Sequence, residues 1–275
     1  METSKMKVVI AAPTFYSVFQ AEICKHLREL FMPDEIALRS VTDDADIQKE
    51  RLKLSLAQIH PDALIAISIW PDDDTVAAFH TANVPIVLID EARDEVSTIT
   101  TDNFLGGKLA AEYLLSKGKE KIAIVSGKTQ ASGGYNARQR VNGFNQALNE
   151  VKLSVSLEYA FEVAHYSRKE GTEVMPKLLD IGPDAIFSAA GDNCALGLIT
   201  VAKERGIRIP EDIAIIGFDD LLAARVSTPA LTTIRQPLKE IAEAAYAMVV
   251  NHKDDLLKNP KKSVFKPELV VRQSA

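Results

Sequence analysis

The sequence predicts an α/β protein built from two open, parallel sheets, each covered by helices on both faces. Three observations carry this. Short apolar runs alternate with longer segments of helical period along nearly the whole chain. The runs are continuous rather than alternating with polar residues, which marks strands buried on both faces. A polar, irregular passage at 91–103 breaks the alternation, and the chain ends in extended pieces rather than a helix. Both features disfavour a single closed barrel of eight strand–helix units.

The elements follow in order. KVVIAA (7–12) reads as a buried strand. Residues 16–31 place Phe19, Ile23, Leu27 and Leu30 at spacings of three and four, one helix face. EIALRSV (35–41) is a strand, and 44–59 a helix with Ile47, Leu52, Leu56 and Ile59 on one side. DALIAIS (62–68) is a strand, 73–82 a short helix, VPIVLID (84–90) a strand, and 103–117 a helix closed by Gly118. The first sheet thus spans about 6–117, and the second begins near 119. There, strands at 121–127, 157–163, 184–190 and 212–218 alternate with helices at 137–150, 168–180 and 192–205. LTTI (231–234), a long helix at about 237–256 and two extended pieces, VFK and ELVVR, complete the chain.

Composition narrows the function. With 47% hydrophobic and 25% charged residues over 275, the chain is an ordinary folded one. Lys plus Arg is 32 against 38 for Asp plus Glu, a net charge of −6. Nucleic-acid affinity rests on cations that displace counterions, so the chain as written is not a strong nucleic-acid binder. The two cysteines, Cys24 and Cys194, sit in apolar helical patterns and read as buried free thiols. No metal spacing, no apolar stretch of about 18 residues and no secretory leader is present, so a cytoplasmic protein with neither metal nor cofactor is expected.

Ligands of open α/β sheets bind beyond the carboxyl ends of the strands. Four places there carry suitable groups. Asp219 and Asp220 follow DIAIIGF; one is expected to cap a turn, and Asp219 to face a ligand. Arg138 and Arg140 open the helix after 121–127, where a guanidinium forks onto vicinal hydroxyls or a carboxylate, or pairs on the surface with Glu150. Asp192 follows strand 184–190 and either caps the next helix or orients a polar ligand. Asp102 and Asn103 stand in the same position before helix 103–117. SGKT (126–129) lacks the upstream glycine of a phosphate loop, which falls on Ile122. The five histidines are scattered, and no nucleophile–base motif is found, so an enzyme is not expected.

One series of motifs is specific in combination: D-N-x-x-G-G (102–107), R-x-x-G-F (140–144), P-D-A-I-F (183–187), A-x-D-x-x-A-x-G (190–197), G-x-x-I-P-x-D-I-x-I-x-G-F-D-D (206–220) and L-T-T-I-R-Q-P (231–237). The series resembles the lac repressor/galactose repressor family over residues 7–274. The resemblance implies a periplasmic-binding-protein-like core of two Rossmann-like lobes joined by three crossovers. It assigns 6–117 plus 235–262 to an N-terminal lobe and 118–234 plus 263–275 to a C-terminal lobe. It implies a cytoplasmic, homodimeric transcriptional regulator that takes a small polar effector between the lobes, commonly a sugar and sometimes a purine. Operator DNA would be reached only through an N-terminal headpiece absent from this chain, whose first strand starts at Lys7. By position, Arg140 and Asp219 match effector-holding residues, Tyr166 a stacking ring, and Phe19 and Tyr16 a first-lobe ring. Where the family usually reads A-N-D, this chain has Ala190-Gly191-Asp192, which removes an amide that meets sugar hydroxyls. The alternative on the same fold is the solute-binding protein of a sugar transporter. Arg140→Ala is expected to abolish effector binding and leave melting nearly intact.

Overall fold

The computed structural model of the protein describes residues 5–15, 17–32, 35–42, 44–130 and 134–275. The chain divides into two compact units. The first holds the residues up to Thr101 and Pro237–Phe265, and the second holds Asp102–Gln236 and Lys266–Ala275. The chain therefore passes three times from one unit to the other.

The first unit contains strands β1 (Lys7–Ala12), β2 (Glu35–Ser40), β3 (Ala63–Ile67), β4 (Ile86–Ile89) and β5 (Ser97–Thr101). Its helices are α1 (Val18–Leu30), α2 (Ala45–Ile59) and α3 (Asp73–Thr81). A long helix, α9 (Leu238–Leu256), and strand β11 (Lys262–Phe265) return to it late in the chain. The six strands pair in the order β11-β5-β4-β3-β1-β2, all parallel. Alternate residues of β1 face opposite layers, as the two-residue period of a strand requires. Val8, Ile10 and Ala12 pack with Ile23 and Leu27 of α1 and Ile241 and Ala245 of α9. Val9 and Ala11 pack with Leu52 of α2 and Val76 and Phe79 of α3.

The second unit repeats the plan with β6 (Ile122–Gly127), β7 (Ala160–Val163), β8 (Ala185–Ser188), β9 (Ala214–Asp219), β10 (Thr232–Arg235) and β12 (Glu268–Val270). Their order is β12-β10-β9-β8-β6-β7, parallel except for β12 against β10. Helices α4 (Asn103–Ser116) and α5 (Tyr135–Glu150) cover one face through Ala110, Leu114, Phe144 and Leu148. Helices α6 (Arg168–Ile181) and α7 (Gly191–Glu204) cover the other through Val174, Leu178, Cys194 and Leu198. A short helix, α8 (Leu222–Val226), follows β9.

The structure corrects the expected lobe boundaries in three places. Helix α4 belongs to the second unit, not the first. Glycines fix it there: a Cβ on Gly107 would lie 1.9 Å from the Arg140 carbonyl oxygen, and one on Gly143 would lie 1.8 Å from that of Phe104. The α4 and α5 backbones touch only because both side chains are missing. Residues 263–265 belong to the first unit, because β11 pairs with β5. Arg235 and Gln236 stay in the second, because β10 runs beside β9 as far as Arg235↔Asp219.

The polar passage at 91–103 also hides a strand. β5 reads STITT and is wholly buried. Its β-branched residues suit a pleated surface, and the Ser97 hydroxyl accepts the Lys261 N–H at 3.0 Å. Residues 157–159, read as strand, form a 3-10 turn before β7.

Candidate functional site

The carboxyl ends of β9, β8 and β6 are neighbours in the second sheet, and each carries a group singled out in the sequence. Asp219 ends β9, with φ at +113°, and Asp220 follows at +62°. Two successive non-glycine residues in this region are strained, and such strain concentrates at functional sites. Here it turns the two carboxylates to different work. Asp219 is partly exposed. Its Oδ1 accepts from the Gln236 side-chain amide at 2.8 Å. Its Oδ2 lies 2.8 Å from where a Cβ on Gly191 would stand. Gly191 itself has φ at +89°, so the missing side chain serves both the backbone and the Asp219 carboxylate.

Asp220 turns inward. Its side chain is fully buried and takes Arg235 Nε at 2.8 Å, Arg225 Nη2 at 3.1 Å and Arg272 Nη2. Burial pushes its carboxyl up, but Arg235 and Arg272 outweigh this and hold it below the usual range. Asp220 does not make the expected turn cap; it anchors three arginines instead, while the Asp219 carboxylate stays partly exposed.

Arg140 is 5% exposed, and so is no surface arginine. Glu150 pairs with Lys108. The Arg140 Nε donates to Asn103 Oδ1 at 2.7 Å and Nη1 to the Ala189 carbonyl at 2.9 Å. The guanidinium carbon sits 3.7 Å from the centre of the Phe218 ring. Asn103 in turn donates to Asn136 Oδ1 at 2.8 Å. Among the described residues, Nη2 has no protein acceptor and no carboxylate lies within 4.0 Å of the guanidinium. A buried cation held by neutral groups, with one edge unused, is suited to a ligand oxygen.

Tyr166 follows β7, 40% exposed and with φ at +54°. Its phenol end occupies the place a Cβ on Gly127 would take, only 1.7 Å from the hydroxyl oxygen. Gly127 closes β6, and β8 lies between β6 and β9. Two strand spacings, about 10 Å, thus separate the Tyr166 seat from Asp219.

Other expected contacts fall elsewhere. Asp192 is fully buried, and both its oxygens have protein donors: the Leu221 N–H at 2.8 Å and the Thr233 hydroxyl at 2.6 Å. Burial, then Asp219, pushes its carboxyl well above the usual range. It braces the 219–221 segment through the Leu221 N–H. Gly217 makes room for it, since a Cβ there would stand 2.3 Å from Oδ1. Asp102 caps α4, accepting from the Leu105 N–H at 2.9 Å. Phe19 belongs to the first unit and packs partly buried against its core. Tyr16 lies outside the described residues. Both cysteines are buried and free, and burial raises the Cys194 thiol to about 11.

Sequence reasoning missed Gln236, Phe218 and Glu170. Gln236 stands just past the end of β10, beside the end of β9, so position alone would have found it. Ser167-Arg168-Lys169-Glu170 is an S-x-x-E helix start, also legible. Phe218 lies in the apolar run DIAIIGF, and its contact with Arg140 has no sequence signal.

Two doubly wound units, with polar groups gathered at the strand ends of the second, define a periplasmic-binding-protein-like effector core. The family model described as "Periplasmic binding protein-like domain" matches residues 111–275. The transcriptional regulator DegA of Bacillus subtilis is 32% identical over 97% of this chain and 80% of its own length. The solved complex of the regulator CelR with cellobiose is 25% identical, with a TM-score of 0.86 over 98% of this chain and 84% of that one. The lac repressor dimer bound to operator has a TM-score of 0.86 at 21% identity, covering 100% of this chain and 95% of that one. The chain belongs to the lac repressor/galactose repressor family of transcriptional regulators, of which it is the effector-binding core. No described helix is long and apolar enough to cross a membrane.

Proposed function

We propose that the strand-end face of the second unit binds a small neutral polar effector, a sugar or sugar derivative, and that this binding controls operator DNA binding by the whole regulator. One observation carries the reading most: a buried arginine with an unused donor edge, Arg140, on the same strand-end face as the carboxylate of Asp219. Arg140 donates to ligand oxygens and Asp219 accepts from ligand hydroxyls. A ligand lacking either partner leaves a buried polar group unpaired, which is how such sites discriminate. Tyr166 covers an apolar face. The cellobiose complex of CelR supports the sugar class. No bond is made or broken, so the protein works as a cytoplasmic switch rather than an enzyme. Regulators among the relatives favour this over the transporter alternative.

Gly191 favours a second reading, a purine base. With no side chain there to meet sugar hydroxyls, the Asp219 carboxylate leans over the glycine, and a flat ring with N–H donors suits it. Calorimetric titration with D-ribose, D-glucose, cellobiose, hypoxanthine and guanine tests both. Binding of a sugar that Asp219→Asn abolishes supports the first, binding of a base the second. Binding by none contradicts the proposal.

The regulator acts as a homodimer. A groove of about 580 Å³ between α7 and α8, lined by Leu196, Ile199, Ala223 and Val226, is the surface for a second copy. Val226 is 72% exposed, as an unpaired subunit surface would be.

A further inference from the structure

The turn between β7 and α6 is built around one carboxylate. Glu170 sits in the first turn of α6 and forms a capping box with Ser167. Such a box needs only two bonds: serine side chain to the Glu170 N–H, and the glutamate side chain back to the serine N–H. Both are here, at 3.2 and 3.0 Å. The Glu170 carboxylate does more than cap. Oε1 also takes the Ala164 N–H at 2.7 Å and the His165 N–H at 3.0 Å, and Oε2 takes the Ser167 hydroxyl at 2.9 Å. Helix initiation requires neither Ala164 nor His165. Their N–H groups wrap the turn around the carboxylate, and Tyr166 stands at its centre.

Tyr166 is also held where a tyrosine is costly. Its φ of +54° is a region that asparagine and glycine enter more readily. Its phenol is seated on Gly127, where any side chain would collide with it. Burial pushes the Glu170 carboxyl up, but the N–H donors of Ser167, Ala164 and His165 outweigh it and hold it below the usual range, so it stays charged at neutral pH.

We propose that Glu170 is a positioning residue of the effector site: its carboxylate, enclosed by the 164–167 turn, fixes the Tyr166 ring on Gly127 for stacking against the effector. The stacking role rests on the proposed function above; the clamp itself does not. Ser167 contributes to the helix start, whereas Glu170 serves both helix and ring.

The test labels the six tyrosines of the full chain with 3-fluorotyrosine and reads fluorine NMR, with the Tyr166 line assigned by its loss in Tyr166→Phe. Glu170→Gln is expected to move that line. Ser167→Ala, which breaks the other half of the box and leaves the Ala164 and His165 bonds, is expected to leave it in place. An unmoved line in Glu170→Gln, or equal shifts in both variants, overturns the clamp. Should Glu170→Gln fail to fold, Glu170→Asp replaces it: the charge stays at the helix start, the reach to Ala164 and His165 is lost, and the same shift is expected. The second arm titrates wild type, Glu170→Gln, Tyr166→Ala and the double variant with D-ribose and with hypoxanthine. Glu170→Gln and Tyr166→Ala should each weaken the binding probe about five- to tenfold, the worth of one aromatic contact. The double variant should bind no more weakly than Tyr166→Ala. Additive losses overturn the positioning role. If neither probe binds the wild type, the effector reading loses its support, while the fluorine spectra still decide the clamp.

Discussion

Removal of the Arg140 side chain should damage both the fold and the site, by separable amounts. In Arg140→Ala, Asn103 Oδ1 and the Ala189 carbonyl lose the Arg140 donor, and both residues are buried. Each bond lost from a buried group costs about 1–3 kcal/mol. The contact with the Phe218 ring is worth about 1–2 kcal/mol more. Part of this is offset, because the variant no longer desolvates a cation. A net loss of about 2–4 kcal/mol in unfolding free energy follows. Effector affinity loses a charge-assisted contact of about 1.5–3 kcal/mol, or about 10- to 150-fold. Urea unfolding reads the first quantity and calorimetry of the folded variant the second. Arg140→Lys separates charge from geometry: a lysine keeps the cation but lacks the planar fork that reaches Asn103 and Ala189 together. It should restore little of either. Unchanged affinity in folded Arg140→Ala would refute the role given to this residue, and unchanged stability would refute its buried bonding.

Three further outcomes are expected. Gly107→Ala drives a methyl into the Arg140 carbonyl oxygen, so α4 must move off α5; urea unfolding should show a loss of about 3 kcal/mol or no folded protein, and a neutral result would mean the helices are not held as described. Asp220, whose carboxyl is held low, stabilises the fold at every pH above the ordinary carboxylate value near 4, and that stability disappears as pH falls through its lowered value. Asp220→Asn leaves three arginines without their shared anion; it should cost about 3–5 kcal/mol at pH 7 and flatten the acid limb of the stability–pH curve, as read by denaturation from pH 7 down to about pH 2. Val226→Asp places a charge in the α7–α8 groove and should turn the proposed dimer into a monomer in analytical ultracentrifugation; a variant that still sediments as a dimer moves the subunit contact elsewhere.

Continuous apolar runs such as ALIAI and KIAIVSG made both sheets legible, because a strand buried on two faces has almost no other way to read. β5 escaped, because STITT is rich in hydroxyls and reads as polar, whereas the Ser97 hydroxyl is met by the N–H of the distant Lys261. The lobe boundary near Asp102 escaped for a related reason: the partner of α4 is set by glycines at 107 and 143, and a glycine gives no sign of what lies against it. At the candidate site, position past a strand end singled out Asp219 and Arg140, the two groups on which the proposal rests. It also overreached at Asp192 and Asp102, since a carboxylate at a helix start reads alike whether it meets a ligand, a backbone N–H or a threonine. The burial of Arg140 was not legible either. From sequence it promised loss of binding with melting intact, whereas its bonds to Asn103 and Ala189 make it part of the fold.

The most direct measurement is the Arg140 Nε–Hε resonance in nitrogen-15 NMR, assigned by its loss in Arg140→Lys, while the sugar or base that binds in calorimetry is added. A ligand taken up at the strand ends of the second unit should shift this resonance in step with the calorimetric isotherm, and Asp219→Asn should abolish both. Saturable binding that leaves the Arg140 resonance unmoved, and that survives Asp219→Asn, would put the effector somewhere else on the protein.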